Sequence, residues 1–416
     1  MKKLKVLIFS DCYIYGGSEK LVSFLLKNEI LKNNFCLLYG YRKHKEYEIG
    51  LRNERILDRN GNYSLILLSN ESLFHKINLT SLPTFLKNSL KIPFYFLERF
   101  RIYFLWNLVV LIFLLLRTKP DVIHINNGGY PAAKSCNILV WANFLSLRRK
   151  IIYQVNNQAR DRENFLEKFY DKFINRNVSY FINASNKAKE ELIKKRNFDE
   201  NKILVVNNCV PLPEVNCNRE QILKDLNIPN DSFLIVEVAF LSERKGQRFL
   251  ISALADLYQK KLLPKDKVYC VFIGNGEDEA LLKRNIEELR LESNVFLLGY
   301  KNNSEDFISA SDLFVLPSIR DEDMPLVVLS ALGYGKPILS TNFAGIAQVI
   351  ESNFNGVLIE NDKNTFIESL ANEILRLFSD QELRLYLGNN AKKSYINYSP
   401  ESYGQKLKNI YEQIDA

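Results

Sequence analysis

The chain has 416 residues, of which 47% are apolar and 25% are charged. This composition is typical of a globular protein, and the length favours two domains over one. The six cysteines include no Cys-x-x-Cys pair, and the three histidines have no metal-ligand spacing to one another. We therefore expect reduced thiols in a cytoplasmic protein and no zinc site.

The net charge of +8 is unevenly distributed along the chain. Residues 1–210 contain 34 Lys and Arg against 18 Asp and Glu, whereas residues 211–416 contain 22 against 30. Ordinary solvation of two surfaces explains this imbalance, and so does a first half that faces an anionic partner. No motif of basic and aromatic residues for single-stranded nucleic acid stands out, so we expect no nucleic-acid partner.

A membrane surface is the anionic partner that the first half favours. Between Lys76 and Lys119, basic residues alternate with Phe, Tyr, Trp and Leu, a mixture suited to the headgroup layer of a bilayer. The apolar run from Ile102 to Leu116 is shorter than the roughly 20 residues of a spanning helix, which predicts a buried or interfacial helix. We expect peripheral contact with an anionic membrane, at its inner face.

Short apolar runs alternate with helical patterns from the first residues onward. The start, MKKLKVLIFSD, has an apolar run of four residues followed at once by an acid, which indicates a buried strand rather than a signal peptide. Further strand candidates in the first half are FCLLYG, YSLILLS, DVIHIN, IIYQVN, YFINAS and ILVVNN. Those in the second half are FLIVEVAF, KVYCVFIG, NVFLLGY, LFVLPS, PILSTN and GVLI.

Most of these runs are apolar almost without alternation, as in strands covered on both faces. Helical segments such as SEKLVSFLLKNEILK and EALLKRNIEELRL lie between them. Alternation of strands and helices implies parallel sheets with right-handed crossovers.

The pattern restarts after VPLPEVNCN, residues 210–218, which is the natural linker. The predicted fold class is therefore α/β, with two tandem Rossmann-like, doubly wound domains that face a cleft. We predict an N-terminal domain over 1–210, a C-terminal domain over 211–398 and a last helix over 399–416 that crosses back to the first domain. Ligands of such sheets bind beyond the carboxyl ends of the strands, so the cleft is the expected site.

Two strand ends carry residues suited to anions. Gly16 and Gly17 follow the first strand and precede a helix, which indicates either an anion site at the helix N-terminus or a tight turn. Arg244 and Lys245 stand between a strand and a helix and are followed by the flexible Gly246. This pair suits a diphosphate at a cleft, although an exposed basic pair is also common.

Three further strand ends in the second half should lie at the lip of the cleft. They are marked by Gly274, by Gly299 with Tyr300, and by Pro317 with Ser318. Backbone groups at these positions are suited to reading a flat base.

The segment DEDMPLVVLSALGYGKPIL contains the predicted start of a helix. Pro325 suits the first helical position, where its missing N–H costs little. The Leu326 and Val327 amides would then face the cleft, and a diphosphate docked there gains about 0.3–1 kcal/mol per charge from the helix end.

Acidic residues precede this helix. Glu322 would stand beside the diphosphate and accept hydrogen bonds from sugar hydroxyls. Asp321 and Asp323 form an Asp-x-Asp pattern that can hold a divalent metal. Because the helix end and the cations already neutralise a diphosphate, we expect no metal.

Segments along almost the whole chain resemble the retaining GT-B glycosyltransferases of family 4, most strongly from about 233 to 360. They include VLIFSDCYIYGGSEK, PDVIHIN, LSERKG, GNGEDEALL, SDLFVLPS and DEDMPLVVLSALGYGKPILSTNFAGIAQVI. The resemblance implies transfer of a sugar from a nucleotide-diphosphate sugar to a saccharide or lipid-linked acceptor, in surface polysaccharide assembly. It implies same-face attack without a covalent enzyme intermediate, and no cofactor, since the nucleotide sugar is a substrate.

The chain departs from the family at three positions. The family has a Glu by the donor sugar and, after seven intervening residues, a second Glu on the ribose; here these positions hold Glu322 and Ser330. The family usually has an Arg where this chain has Phe240, and this Arg acts with a Lys that is retained as Lys245. Asn156 is the best match to the histidine that the family often has near the sugar.

These departures leave alternatives open. Loss of the ribose carboxylate costs on the order of 1.5–3 kcal/mol, and Arg244 or Arg320 would have to replace the missing arginine. The first hypothesis is an enzyme with Tyr300 and Gly299 at the base, Ser330 at the ribose, Glu322 at the sugar and Lys245 with Arg244 at the diphosphate. The second is a catalytically decayed GT-B protein that acts as a scaffold or subunit for another transferase. A sugar-nucleotide epimerase comes third, because no acid and base residues for it are identified.

Overall fold

The computed structural model describes residues 3–70, 73–74, 77–78, 80–320 and 322–415. The chain divides into two compact units. The first unit contains the residues up to 183, 189–206 and those from 404 onward, and the second contains 184–188 and 207–403. The chain therefore contributes residues 184–188 to the second unit, enters it again after residue 206 and returns to the first unit at residue 404.

The first unit is built on a parallel sheet with the strand order β3-β2-β1-β4-β5-β6-β7. Its strands are β1 (Leu4–Ser10), β2 (Phe35–Arg42), β3 (Asn62–Leu65), β4 (Val122–Asn127), β5 (Lys150–Val155), β6 (Tyr180–Asn183) and β7 (Ile203–Val205). The helices between residues 17 and 196 are α1 (Gly17–Lys27), α2 (Glu29–Asn34), α3 (Lys45–Asn53), α4 (Thr84–Arg99), α5 (Ile102–Thr118), α6 (Lys134–Leu145), α7 (Leu166–Asn177) and α8 (Asn186–Arg196).

The second unit is built on a parallel sheet with the order β10-β9-β8-β11-β12-β13. Its strands are β8 (Phe233–Val238), β9 (Val268–Ile273), β10 (Val295–Leu297), β11 (Leu313–Leu316), β12 (Ile338–Thr341) and β13 (Val357–Ile359). The helices after residue 218 are α9 (Arg219–Asp225), α10 (Gln247–Gln259), α11 (Glu279–Glu288), α12 (Ser304–Ala310), α13 (Leu326–Gly333), α14 (Ile346–Val349), α15 (Phe366–Ser379), α16 (Gln381–Ser394) and α17 (Pro400–Asp415).

Both sheets confirm the predicted α/β class with two Rossmann-like domains. In each sheet the chain order reverses beside the first strand, between β1 and β4 and between β8 and β11. The central strands are almost entirely buried, as their continuous apolar runs predict. The edge strand β3 has no buried residue. The reversal points are where open α/β sheets bind ligands.

Strand β3 is shorter than its apolar run predicts. Side chains of helix α5 form hydrogen bonds with the backbone that follows the strand. The indole Nε1 of Trp106 donates to the Ile66 carbonyl at 2.9 Å. The Asn107 side chain accepts from the Leu68 amide at 2.8 Å and donates to the Leu68 carbonyl at 3.0 Å. These side chains take the place of the sheet hydrogen bonds, so the strand ends at Leu65.

The helical run SEKLVSFLLKNEILK is two helices rather than one. Asn28 is extended between α1 and α2, and its side chain accepts from the Leu31 amide at 3.2 Å, which caps α2. Asparagine favours caps over helix interiors because its short side chain bonds to nearby amides. The break therefore follows from the residue itself.

Helix α5 packs one face into the core of the first unit through Leu111, Leu114 and Leu115, which are fully buried or nearly so. No single helix among the described residues is long and apolar enough to cross a membrane. Helices α4 and α5 satisfy that test of length and composition only as a pair, and they are bent by 57° where they meet.

Helix α17 packs its C-terminal part on the first unit. The Tyr411 hydroxyl hydrogen-bonds to His124 Nδ1 at 2.6 Å, and the Tyr411 ring meets Phe35 edge to face. Gly404 lies against the side chain of Asn28, where a Cβ would overlap the amide. These contacts account for the assignment of the last residues to the first unit.

Candidate functional site

The carboxyl ends of β8 and β11, which are adjacent in the second sheet, bring together residues from two distant segments. The Lys245 ammonium contacts the Glu322 carboxylate, and both residues are only 8% exposed. Ser318 Oγ donates to Glu322 Oε2 at 3.3 Å, and Arg244 Nη1 lies 4.0 Å from the same oxygen. Three residues predicted from the sequence therefore converge on the carboxylate of a fourth, Glu322.

A glycine allows these two loops to approach so closely. Gly246 has a left-handed backbone with φ of 83°, and a Cβ at this position would overlap the Pro317 carbonyl oxygen. The Ile319 amide donates to the Arg244 carbonyl at 2.8 Å, and Thr341 Oγ1 donates to the Ser318 carbonyl at 2.6 Å. The backbone itself thus fixes Lys245 beside Glu322.

The predicted base-reading residues are held together by Asn275. Its side-chain oxygen accepts from the Tyr300 amide at 2.7 Å, and the Gly274 amide donates to the Gly299 carbonyl at 3.0 Å. Gly274 has φ of 143°, and a Cβ there would overlap the Ala239 carbonyl oxygen. The Tyr300 side chain is 64% exposed, so its ring is available to a ligand.

Helix α13 begins at Leu326, one residue after the predicted start, with Pro325 as its N-cap. In the described part of the chain, neither the Leu326 nor the Val327 amide donates to another group, as expected for the first turn of a helix. Both residues are half-buried, and Ser330 is buried one turn further on. The helix start thus offers two unused donors in the residues after Glu322.

The position of the missing family arginine is taken by an apolar side chain. Phe240 is 52% exposed, and its carbonyl accepts from Gln247 Nε2 at 3.2 Å. Of the two arginines considered as substitutes, Arg320 forms an exposed ion pair with Glu243 at 2.7 Å. Arg244 is therefore the one that lies beside Glu322.

The carboxylates of Glu322 and Asp323 contact different partners. Asp321 lies outside the described residues, and Asp323 is buried and accepts a hydrogen bond from Ser185 Oγ. Burial raises the pKa of Asp323 to about 6. No group of three or more His, Cys, Asp or Glu side chains in the described ranges is arranged to hold a metal.

Glu237, in the middle of β8, is an acidic residue that sequence reasoning missed. It is 1% exposed, and neither carboxyl oxygen has a hydrogen-bond partner among the described residues. Burial raises the pKa of Glu237 well above its usual value, and the positive charge of Lys245 opposes that rise. Glu237 therefore keeps its proton to a higher pH than an exposed glutamate does.

In the first unit, Gly16 is the N-cap of α1 and Gly17 is already its first residue, one position earlier than the sequence predicts. The start of this helix is capped by its own Glu19 side chain. The Gly16 amide donates to Glu19 Oε2 at 3.1 Å, and Cys12 Sγ donates to Glu19 Oε1 at 2.7 Å. The Glu19 carboxylate therefore already accepts from the glycine segment. A Cβ on Gly17 would meet nothing within 4 Å, so the space beside it is open.

Asn156 belongs to a chain of polar side chains at the carboxyl ends of β4 and β5. It donates to Asn126 Oδ1 at 2.8 Å and accepts from Gln154 Nε2 at 2.8 Å. Gln154 Oε1 lies 2.9 Å from His124 Nε2, and burial lowers the pKa of His124 to about 4. The neutral histidine and three amides thus form one connected network, which no sequence motif indicated.

Comparisons with known proteins identify the family. The model of the family described as "Glycosyl transferases group 1" matches residues 218–394, and that of "Glycosyltransferase Family 4" matches residues 80–213. One relative is UDP-Gal:alpha-D-GlcNAc-diphosphoundecaprenol alpha-1,3-galactosyltransferase of Escherichia coli, 28% identical over 73% of this chain and 78% of that protein. Another is N,N'-diacetylbacillosaminyl-diphospho-undecaprenol alpha-1,3-N-acetylgalactosaminyltransferase of Campylobacter jejuni, 27% identical over 60% of this chain and 64% of that protein.

Solved structures share the fold over the full chain. Anabaena HepE in complex with UDP has a TM-score of 0.74 and 18% identity, covering 99% of this chain and 100% of that chain. A glycosyltransferase from Rickettsia africae has a TM-score of 0.75 and 17% identity, covering 100% of this chain and 99% of that one. The two family models between them span most of the sequence, and the chain is a GT-B glycosyltransferase that belongs to group 1, family 4.

Proposed function

We propose that this glycosyltransferase moves a sugar from a nucleotide-diphosphate sugar to a lipid-linked or saccharide acceptor, with retention of the anomeric configuration, in surface polysaccharide synthesis. The observation that carries the proposal is the buried pair of Lys245 and Glu322 at the carboxyl ends of β8 and β11. A cation, an acid and two unused amides at a switch point form a site suited to a charged sugar donor.

The donor diphosphate is assigned to Lys245, Arg244 and the amides of Leu326 and Val327. Breaking the bond between the sugar and the diphosphate leaves negative charge on the phosphate oxygens, and fixed cations and amides stabilise that charge. The acceptor hydroxyl attacks the same face of the sugar that the diphosphate leaves. We assign Glu322 to the sugar hydroxyls, because it stands between the cations and the start of α13.

The nucleoside is assigned to the opposite end of the donor site. Tyr300 has an exposed ring and a backbone fixed by Asn275, which suits stacking on a base. Ser330 is assigned to the ribose, where a hydroxyl supplies a weaker hydrogen bond than a carboxylate. Gly274, Pro317 and Ser318 form the walls of the site in this proposal.

The acceptor is proposed to be linked to a lipid at the inner face of the membrane. The names of the relatives from Escherichia coli and Campylobacter jejuni describe acceptors on diphosphoundecaprenol. The basic, apolar segment between Lys76 and Lys119 supports the same class of acceptor here.

A second candidate is a catalytically decayed GT-B protein that serves as a scaffold for another transferase. Ser330, Phe240 and Asn156, in place of the family's polar and charged residues, favour it. The retained and structurally fixed pair of Lys245 and Glu322 opposes it, because a buried ion pair seldom contributes more to stability than apolar residues of similar size would.

Calorimetric titration with a panel of UDP- and GDP-sugars, without added metal, tests the proposal. We expect one donor to bind and Lys245→Ala to weaken it at least tenfold. Lys267→Ala is the matched control, because Lys267 forms an exposed ion pair with Asp231 on the same unit. Failure of every donor to bind would favour the scaffold. Proton NMR of the product then reports whether the anomeric configuration is retained.

A further inference from the structure

Helices α4 and α5 carry an unusual density of exposed apolar side chains. Helix α4 contains no buried residue at all. Between residues 82 and 116, fourteen large apolar side chains are exposed, and these are Leu82, Phe85, Leu86, Leu90, Ile92, Tyr95, Phe96, Phe100, Ile102, Leu105, Trp106, Val109, Phe113 and Leu116. Exposed apolar side chains at this density indicate an interaction site.

Helix α5 is apolar on two opposite faces. One face packs Leu111, Leu114 and Leu115 into the core of the first unit. The other follows the helical spacing of residues 102, 105, 106, 109, 113 and 116 and is exposed, with Val109 at 66% and Phe113 at 64%. A helix that is apolar all round needs a second apolar environment besides the core.

The charges around this surface are basic. Arg99, Arg101 and Arg117 are exposed, and Arg99 and Arg101 have no ion-pair partner among the described residues. The acid that precedes Arg99 in sequence, Glu98, is already paired with Lys134 at 2.5 Å and accepts from Asn70 at 2.7 Å. The free charge of the surface is therefore positive.

An open cavity lies at the bend between the two helices. Its volume is about 540 Å³, and its lining consists of Ile92, Tyr95, Phe96, Glu98, Arg99 and Arg101. A lining that combines apolar and aromatic side chains with two arginines suits the boundary between acyl chains and phosphate headgroups.

The bend lies at the edge of the first sheet where ligands are expected. Glu98 contacts Lys134, the first residue of α6, which follows the carboxyl end of β4. The polar network that contains Asn126 and Asn156 lies at the ends of β4 and β5, on the same edge. A lipid bound at the bend would therefore hold its headgroup towards this edge.

We propose that the exposed faces of α4 and α5 dock the protein on one leaflet of an anionic bilayer. The apolar side chains insert among the acyl chains, and Arg99, Arg101 and Arg117 bind the lipid phosphates. The helices do not span the bilayer, because the opposite face of α5 is packed in the protein core. This inference deepens the proposed function, on which it rests for a lipid-linked acceptor, while lipid binding itself does not depend on sugar transfer.

The fluorescence of Trp106 is a direct probe, because Trp106 is exposed on this face and the chain has only one other tryptophan. In a Trp141→Phe background, vesicles of phosphatidylcholine with phosphatidylglycerol should shift the emission to shorter wavelength, and brominated lipid should quench it. Vesicles of phosphatidylcholine alone should bind more weakly. Unchanged emission with anionic vesicles would overturn the proposal.

Vesicle co-sedimentation separates the contribution of the arginines from that of the apolar side chains. Arg99→Gln with Arg101→Gln should weaken binding about 25-fold, since each basic residue near an anionic surface contributes about fivefold. Val109→Ser with Phe113→Ser should weaken it at least about tenfold. The control for the arginine variant is Arg290→Gln, because Arg290 is exposed and its φ of 55° is close to the 60° of Arg101. The control for the apolar variant is Leu385→Ser, because the Leu385 side chain is 60% exposed.

Two outcomes of the sedimentation experiments would also overturn the proposal. One is that the α4 and α5 variants bind vesicles as well as their controls do. The other is a dimer in sedimentation velocity that the apolar variants dissociate while vesicle binding stays the same, which would make this face an interface between copies. Donor titration without vesicles tests the proposed function separately. If the protein binds vesicles but no donor, the membrane-docking proposal stands and the proposed sugar transfer is rejected.

Discussion

Lys245 and Glu322 form a buried ion pair although 76 residues separate them in sequence, because Gly246 lets their loops meet at the ends of β8 and β11. Ser318 and Arg244 approach the same carboxylate. In the absence of a donor, the positive charge of Lys245 is therefore offset by Glu322. A diphosphate that enters the site must compete with this internal acid.

Replacement of Glu322 by Gln should separate binding of the nucleotide from use of the sugar. We expect UDP to bind about tenfold more tightly, since Lys245 is no longer neutralised, while the rate of transfer falls. The unliganded variant should lose on the order of 3 kcal/mol of unfolding free energy, because a buried ammonium has lost its partner. Calorimetry and denaturant unfolding measure the two effects, and Glu243→Gln, at an exposed pair, is the control. Unchanged UDP affinity would contradict this account.

Gly246→Ala should destabilise the second unit by at least about 2 kcal/mol, because alanine disfavours a left-handed backbone and its Cβ meets the Pro317 carbonyl. Donor affinity should fall as well, since the loop carries Lys245. Gly17→Ala is the matched control in the other unit, where a Cβ meets open space. Thermal unfolding of the two variants provides the comparison, and equal midpoints would show that the loop adapts.

Tyr300→Ala should weaken nucleotide binding by about 5- to 100-fold if its ring stacks on the base, since such stacking contributes about 1–3 kcal/mol. Tyr386→Ala removes a similarly exposed ring from the same unit and should leave affinity unchanged. Calorimetric titration with UDP tests both variants. If the wild type and Tyr300→Ala bind UDP with equal affinity, the base does not stack on Tyr300 and this assignment is wrong.

Glu237→Leu should raise the unfolding free energy at pH 7.5 by about 1–3 kcal/mol, because it replaces a buried carboxyl that has no partner among the described residues. The pKa of Glu237 is raised in the folded protein, so the folded state keeps a proton that the unfolded state releases. The contribution of Glu237 to stability therefore falls as pH rises above the unfolded pKa.

The unfolding free energy of Glu237→Leu should therefore fall less than that of the wild type as the pH rises from acidic to neutral. Denaturant unfolding across that range measures it, with Glu292→Leu, at an exposed position, as the control. A slope identical to that of the wild type would show that Glu237 titrates normally.

The sequence was sufficient to predict the strands and to place Lys245 and Glu322 after strand ends, because apolar runs and strand-end positions are local signals. It did not predict that the two side chains form an ion pair. It did not predict the early end of β3, which depends on hydrogen bonds from Trp106 and Asn107 on a helix about 40 residues away. The roles of Asn275 and Glu237 were also missed. Single polar residues carry no periodic signal, and their partners are fixed only when the sheet assembles.

The divergence of Glu322 and Asp323 shows the same limit. These acids are adjacent in sequence, whereas the backbone turns one carboxylate towards Lys245 and the other towards Ser185. Nothing in the local pattern specifies that turn.

The return of the chain to the first unit at residue 404 has a consequence for biosynthesis. Tyr411 contacts Phe35 and His124, and these residues emerge from the ribosome nearly three hundred residues or more before it. The first unit therefore cannot complete its fold until the second unit has been translated. A nascent chain that ends before residue 404 would lack the Tyr411 contacts, so Phe35 and His124, which are buried in the folded chain, would be uncovered.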